Sequence, residues 1–146
     1  MLDLKKVFIE LHAAGYRLTP QRRAILAYLA TTDVHPSARR VFHEVQQTHP
    51  DISLATVYNT LAILVRLGHL KMLELEPDNR YETNLNTHIN LICDICGQIQ
   101  DLEGDLPVSP EEVRRRFGFQ VLDSRMEYHG VCPVCRNRHR PIHRKP

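Results

Sequence analysis

The sequence predicts an α+β fold, with helices in its first part and short strands in its second. Apolar residues recur with helical spacing up to about residue 80, and from residue 90 they form short runs typical of strands. All four cysteines lie in the second part, in the two pairs Cys93-x-x-Cys96 and Cys132-x-x-Cys135. We therefore expect a helical N-terminal part and a small C-terminal part that contains a cysteine cluster.

The first two predicted helices have clear boundaries. Residues 4–11 carry apolar side chains at amphipathic spacing, and Gly15 ends that helix. Thr19 is an N-cap residue, and Pro20 after it suits the first helical position because its fixed φ is already helical. A second helix is therefore expected to begin at Pro20.

The third and fourth predicted helices each begin after a serine. Ser37 can cap a helix that ends before Pro50, and Ser53 can cap one that Gly68 closes. The fourth helix has one apolar side and one small, mostly polar side. This second side is predicted to face outward and comprises Thr56, Asn59, Thr60 and Ile63, flanked by Ala55 and Tyr58.

Two hypotheses explain this helical pattern. Two short helices, of which the second has a small polar face, are typical of a helix-turn-helix that enters the DNA major groove. Residues 70–75 and 80–83, around Pro77-Asp78-Asn79, then predict the hairpin of a wing. The alternative is a plain helical bundle with a solvated polar face, and the periodicity taken alone favours this alternative.

The second part is predicted to contain three strands and a short helix. The strands are expected at residues 90–93, 98–102 and 119–128, with a cysteine turn at Gly97 and the helix at residues 110–117. About 50 residues form only a small core, so metal binding and self-association are both expected to stabilise this part.

The spacing of the cysteines favours one tetrahedral zinc site. Each Cys-x-x-Cys turn can supply two thiolates, and four thiolates leave no open position for water or substrate. Such a zinc ion stabilises a fold rather than catalysing a reaction. Two disulfides or a thioredoxin-like redox pair use the same residues, but the spacing supports them less well.

Charge is distributed unevenly along the chain. Residues 1–80 contain ten basic and eight acidic side chains. Residues 81–135 contain four basic and nine acidic side chains, and residues 136–146 contain five basic and no acidic side chains. A polyanion is expected to contact the first part, and a divalent cation the second. The basic end is predicted to be a disordered tail. Without a signal segment or an apolar run of roughly 18 residues, we expect a cytoplasmic protein with no membrane contact.

Six motifs in order resemble those of the ferric uptake regulator (Fur) family. They are Leu18-Thr-Pro-Gln-Arg22, His35-Pro36, Ala55-Thr-Val-Tyr58, His88, Cys93-x-x-Cys-Gly97 and Gly130-x-Cys132-x-x-Cys135. The match runs from about residue 4 to residue 135. It implies a winged helix-turn-helix DNA-binding domain over residues 1–83 and a small α/β dimerisation and metal-binding domain over residues 84–135, followed by the basic tail at 136–146.

The resemblance also implies a function and its residues. It implies a homodimeric, metal-dependent repressor, rather than an enzyme, that binds a palindromic operator. Structural Zn²⁺ is expected on the four cysteines, and regulatory Fe²⁺ or Mn²⁺ on His35, Glu82, His88, Asn90 and Asp101. On DNA, we expect Ala55, Thr56, Tyr58 and Asn59 near the bases and Arg17, Arg22 and Lys71 near phosphates.

Individual positions resemble different branches of the family. Asp101 and Asn59 resemble the peroxide-sensing (PerR-like) branch, whereas Glu82 resembles the iron-responsive branch. We expect a sensor of hydrogen peroxide in which His35 or His88 is oxidised, with an iron- or zinc-uptake repressor as the alternative. Asn90 stands where both branches have histidine. It can ligate through its amide oxygen, which suits Mn²⁺ or Fe²⁺, or it can leave a site of four protein ligands.

Two other classes of protein could use the same residues. A zinc hydrolase could use His35, Glu82 and His88 around an open metal position, but the chain lacks a His-Glu-x-x-His signature, a nucleophile elbow and a phosphate-binding glycine loop. A zinc-thiolate redox switch is the other alternative, because zinc-bound thiolates can themselves be oxidised.

Overall fold

The computed structural model describes residues 2–32, 34–104 and 107–138. It confirms the α+β fold, and the chain divides between Leu85 and Asn86 into two compact units. The first unit contains α1 (Leu4–Ala13), α2 (Pro20–Thr31), α3 (Ala38–Gln46), α4 (Leu54–Arg66), β1 (Lys71–Leu73) and β2 (Arg80–Glu82). The second contains β3 (Ile89–Cys93), β4 (Ile99–Leu102), α5 (Pro110–Phe117), β5 (Glu127–Gly130) and α6 (Pro133–Arg138).

The predicted N-caps of the first unit are confirmed. The hydroxyl oxygens of Thr19, Ser37 and Ser53 accept hydrogen bonds from the backbone N–H three residues later, at 3.3, 3.2 and 3.1 Å. Each cap satisfies one of the amides that a helix leaves without an internal partner. Short polar residues therefore determine locally where α2, α3 and α4 begin.

The core of the first unit lies between its helices, and the hairpin attaches to its edge. Val7, Ile25, Val41 and Leu64 are among the fully buried side chains. Strands β1 and β2 pair antiparallel, as predicted for a wing. The backbone N–H of Tyr81 donates to the carbonyl of Pro36 at 3.0 Å, so β2 lies against the residues that lead into α3.

The prediction that Thr60 and Ile63 face outward is wrong. Their side chains are only 1% and 6% exposed. Thr60 follows Val57 by three residues and precedes Leu61 by one, so helical geometry places it in the same buried arc. Its hydroxyl donates to the carbonyl of Thr56 at 2.8 Å, which satisfies the polar group inside the helix. The exposed side of α4 is instead formed by Ala55, Tyr58, Asn59 and Ala62.

Substitutions on the buried and the exposed side of α4 are expected to affect stability differently. We expect Leu61→Ala to lower the free energy of unfolding by roughly 2–5 kcal/mol, because Leu61 is fully buried and its removal leaves a cavity. Asn59→Ala, on the exposed side, should change it by less than about 0.5 kcal/mol. Denaturant unfolding of both variants measures the difference. Equal effects would contradict this assignment of the two sides.

The second unit is built on a three-stranded sheet in the order β4-β3-β5. Strand β3 pairs antiparallel with β4 and parallel with β5. The predicted strand at residues 119–128 is wrong over most of its length, because β5 begins at Glu127. Residues 119–126 form no strand, although the carbonyl of Met126 accepts a hydrogen bond from the backbone N–H of Asn90 in β3 at 2.9 Å. Phe119 and Leu122 in that segment are 64% and 88% exposed.

The C-terminal end is described only in part. Residues 136–138 form the end of α6, so these three residues are helical rather than part of a structureless tail. The rest of the predicted tail, residues 139–146, lies outside the described residues. Within the ranges given above, no helix combines the length and apolar character needed to cross a membrane.

Candidate metal centres and nucleic-acid interface

The sheet of the second unit brings the two cysteine pairs together. Cys93 ends β3, and Gly130 lies opposite it at the end of β5. Because β3 and β5 are parallel, their C-terminal ends lie at the same end of the sheet, and the cysteines at and after these ends lie there together. The Sγ atoms of Cys93, Cys96, Cys132 and Cys135 all lie within 4.8 Å of one another.

The geometry of this cluster fits a tetrahedral zinc ion. The Sγ atoms of Cys96 and Cys132 are 3.8 Å apart. A tetrahedron with Zn–S bonds of about 2.3 Å has edges of about 3.8 Å, whereas a disulfide requires about 2.05 Å. All four cysteines are free thiols. The predicted structural zinc therefore fits the observed donors, and a pair of disulfides does not.

The surroundings of the sulfurs also favour a bound cation. The backbone N–H of Cys132 donates to Sγ of Cys93 at 3.3 Å, and this hydrogen bond is the main cause that lowers the pKa of Cys93 to about 6. Burial raises the pKa of Cys135 to about 12. A divalent cation offsets that cost, since it stabilises the thiolate form of its ligands.

A hydrogen-bonded triad beside the cysteine cluster was not predicted. Nδ1 of His129 lies 3.0 Å from Oδ1 of Asp94, and Nε2 lies 3.4 Å from Oε2 of Glu127. The hydrogen bond with Asp94, followed by that with Glu127, raises the pKa of His129. Asp94 belongs to the turn between Cys93 and Cys96, so His129 links this turn to β5. The sequence carries no local signal for the contact, because 35 positions separate the two residues.

Two of the predicted regulatory ligands lie together in the first unit. Nε2 of His35 is 3.8 Å from Oε1 of Glu82, and their side chains are only 6% and 2% exposed. Glu82 ends β2, and the bridge from β2 to Ser37 places it beside the segment that carries His35. A buried imidazole and carboxylate at this distance are suitable donors for Fe²⁺ or Mn²⁺.

The other three predicted ligands lie together in the second unit. Nε2 of His88 is 3.9 Å from Oδ2 of Asp101, and Asn90 pairs directly with Asp101 across the β3–β4 ladder. Nδ1 of His88 donates to the carbonyl of Asn86 at 2.8 Å. This hydrogen bond fixes the tautomer in which Nε2 carries the lone pair, as a metal-binding histidine requires. Asn90 is 5% exposed.

The residues predicted to contact DNA all lie in the first unit. Ala55 and Asn59 are exposed on α4, and Tyr58 is 43% exposed there. Thr56 is half-buried, and its hydroxyl shares a hydrogen bond with that of Ser53 at 2.9 Å. Arg17 is exposed, and Lys71 is half-buried on β1.

Arg22 also makes a hydrogen bond within the protein. Nη1 of Arg22 donates to the carbonyl of Arg17 at 2.6 Å, so this guanidinium also orders the α1–α2 loop. The contacts of Arg22 and of the other six residues with DNA stay predictions.

The model of the "Ferric uptake regulator family" matches residues 13–129 of this chain. The chain belongs to the ferric uptake regulator family. The peroxide-responsive repressor PerR of Staphylococcus aureus is 34% identical to this Fur-family protein over 138 residues, which are 93% of each chain.

Solved structures agree with this membership. The Helicobacter pylori ferric uptake regulator covers 91% of each chain with a TM-score of 0.75 and, at 23% identity, shows the fold. PerR from Streptococcus pyogenes is 30% identical and covers 89% of this chain and 90% of its own, with a TM-score of 0.51. The Fur-family protein thus has the fold of metal-regulated repressors and is similar in sequence to peroxide-responsive ones.

Proposed function

We propose that this protein is a DNA-binding, metal-dependent transcriptional repressor that senses hydrogen peroxide through a regulatory Fe²⁺ or Mn²⁺ site and is stabilised by zinc. The observation that carries the proposal is the pairing of buried imidazoles with carboxylates, His35 with Glu82 and His88 with Asp101. The similarity to peroxide-responsive repressors supports the same function.

In this proposal the two metals have different roles. Zinc on the four cysteines holds the ends of β3 and β5 together, and no open position is left for chemistry. His35 and Glu82 of the first unit bind the regulatory ion together with His88, Asn90 and Asp101 of the second. Because the proposed ligands come from both units, the affinity for the ion would depend on how the two units are arranged. Binding of the ion would therefore favour one arrangement of the units. Coupling of about 1–3 kcal/mol would change DNA affinity by roughly one to two orders of magnitude.

The two histidines are the proposed peroxide-sensitive groups. Oxidation of an imidazole by hydrogen peroxide would remove two electrons from the ring: one peroxide oxygen would replace a ring hydrogen and the other would leave as water. Fe²⁺ held by these residues would supply the redox chemistry that activates the peroxide. An imidazole that gains oxygen is a poorer donor, so oxidation of His35 or His88 would lower the affinity for the ion and, through the coupling, for DNA. His88 is held at Nδ1 by the Asn86 carbonyl, which keeps Nε2 available as the donor atom.

The proposed DNA-binding form is a homodimer on a palindromic operator. The second unit exposes three large apolar side chains around a cleft of about 340 Å³ beside the cysteine cluster: Tyr128, Val131 and Val134, at 48–55% exposure. Exposed apolar patches of this kind favour association. Two copies related by a two-fold axis would present two α4 helices to two matching half-sites.

Mass spectrometry after a peroxide challenge tests the proposed function. The anaerobically purified zinc protein is loaded with Fe²⁺, treated with a small excess of hydrogen peroxide and digested with trypsin. We expect one added oxygen atom at His35 or His88, because these imidazoles are the proposed donors to the redox-active ion. A Mn²⁺-loaded sample is the control and should stay unmodified. Unmodified histidines with iron would contradict peroxide sensing, and oxidation confined to cysteines would indicate a thiol switch.

An iron-uptake repressor is the second candidate function. It is favoured by Glu82, which resembles the iron-responsive branch and lies buried beside His35. Such a repressor would release DNA when iron is removed and would not respond to peroxide. The same peroxide challenge separates the two functions.

A further inference from the structure

The ring of Tyr16, between α1 and α2, contacts arginines from two different helices. The guanidinium of Arg22, near the start of α2, lies 5.7 Å from the ring centroid, and that of Arg66, at the end of α4, lies 5.5 Å from it. Arg66 also donates a hydrogen bond to the Tyr16 hydroxyl. Aromatic rings attract cations at these distances, so Tyr16 restricts both guanidinium groups.

Arg17 extends the same basic cluster. Its carbonyl accepts the hydrogen bond from Arg22, which ties the exposed Arg17 to the arginines around Tyr16. Among residues 2–32, 34–104 and 107–138, no carboxylate oxygen lies within 4.0 Å of a guanidinium nitrogen of Arg17, Arg22 or Arg66. The guanidinium groups of Arg22 and Arg66, held on one ring, repel each other, and a bound anion would relieve that repulsion.

The position of Arg66 on α4 indicates which anion this is. Asn59, Ala62 and Arg66 are all exposed. Arg66 follows Asn59 by seven residues, so the two side chains differ by only about 20° around the helix axis and by about 10 Å along it. The basic cluster therefore continues the side of α4 that we assign to base contacts. A DNA strand beside the groove carries phosphates that complement this surface.

We propose that Arg66, Arg22 and Arg17 form one phosphate-binding surface for duplex DNA, organised by the ring of Tyr16. This inference rests on the proposed DNA-binding function and adds Arg66 and Tyr16 to its residues. Arg66 supplies a charge that contacts a backbone phosphate. Tyr16 contacts no DNA and is a positioning residue, because it restricts two arginines before the duplex arrives.

The salt dependence of DNA binding tests the role of Arg66. The full chain, loaded with zinc and Mn²⁺, is titrated against a fluorescent duplex of mixed sequence at several salt concentrations. Arg66→Gln should lower affinity roughly three- to tenfold and reduce the slope of log K against log salt by about one, as loss of one phosphate contact requires. Arg66→Lys keeps the charge and should restore the slope. An unchanged slope in Arg66→Gln would overturn the proposal.

Substitution of Tyr16 is expected to change the affinity for DNA without changing its salt dependence. Tyr16→Leu keeps every charge, so it should lower affinity about two- to fivefold while the salt slope stays as in wild type. Tyr16→Phe keeps the ring and should recover most of the lost affinity. If Tyr16→Leu changes thermal stability but not DNA affinity, Tyr16 is only structural and the proposal is wrong.

One control separates this inference from the function on which it rests. Arg116→Gln removes an arginine of the second unit that is ion-paired with Glu112 at 2.8 Å, and it should leave the slope unchanged. An equal decrease in slope for Arg116→Gln would overturn the proposed specific contact. Wild-type protein that binds no duplex at all would overturn the proposed function, and this inference with it.

Discussion

Cys96→Ser is expected to abolish zinc binding and to unfold the second unit. Cys96 supplies one corner of the cluster, 3.8 Å from Cys132, and a serine hydroxyl is a much poorer zinc ligand than a thiolate. Structural zinc sites bind with roughly 10–16 kcal/mol at neutral pH, which is as large as the whole stability of a typical domain. Losing this contribution should leave a small sheet that cannot stay folded.

Zinc content and nuclear magnetic resonance spectra measure this effect. The spectrum of Cys96→Ser should lose the dispersed signals of residues 86–138 and keep those of the first unit, whose core contains no cysteine. Ile95→Ser is a matched control, because Ile95 is 50% exposed in the same turn and offers no sulfur. A full complement of zinc in Cys96→Ser would show that the four thiolates are not the ligands.

Glu82→Gln is expected to uncouple DNA binding from the regulatory metal. The substitution keeps the shape of a side chain that is only 2% exposed, but replaces an anionic donor by a neutral amide. We expect the affinity for Mn²⁺ to fall and the metal-dependent increase in DNA affinity to shrink by one to two orders of magnitude, the size of a coupling of about 1–3 kcal/mol. DNA binding by the metal-free protein should not change.

Titration of DNA with and without Mn²⁺ measures this coupling. Glu44→Gln is a suitable control, because Glu44 is an exposed glutamate of α3 in the same unit and is not a predicted ligand. Wild-type metal response in Glu82→Gln would remove Glu82 from the regulatory site. Loss of DNA binding in the metal-free variant would instead indicate a folding defect.

Features that depend on neighbouring residues could be predicted from the sequence. The caps at Thr19, Ser37 and Ser53 were predictable because a hydroxyl three residues before a backbone N–H determines where a helix begins. The cysteine cluster was predictable because each turn holds half of the ligands, so spacing alone reports the site.

Features that depend on distant parts of the chain could not be predicted in this way. The segment 119–126 has the composition of a strand, but composition does not show whether a segment meets a partner strand, and this one reaches β3 at its last residue, Met126. The contact of His129 with Asp94 depends on the β3–β5 register, which no local pattern reveals. Likewise His35 and Glu82 lie 3.8 Å apart, but their spacing in the chain is arbitrary, so only the resemblance to a family identified them as partners.

The parallel pairing of β3 with β5 has a topological consequence. Zinc that joins Cys93 and Cys96 to Cys132 and Cys135 converts the intervening chain, with β4 and α5, into a closed ring. A ring limits how far the unfolded chain can expand and so lowers the entropy gained on unfolding. A chelator opens this ring without breaking a peptide bond. The second unit therefore contains a crosslink that acts like a disulfide but that metal supply, rather than an oxidant, makes and breaks.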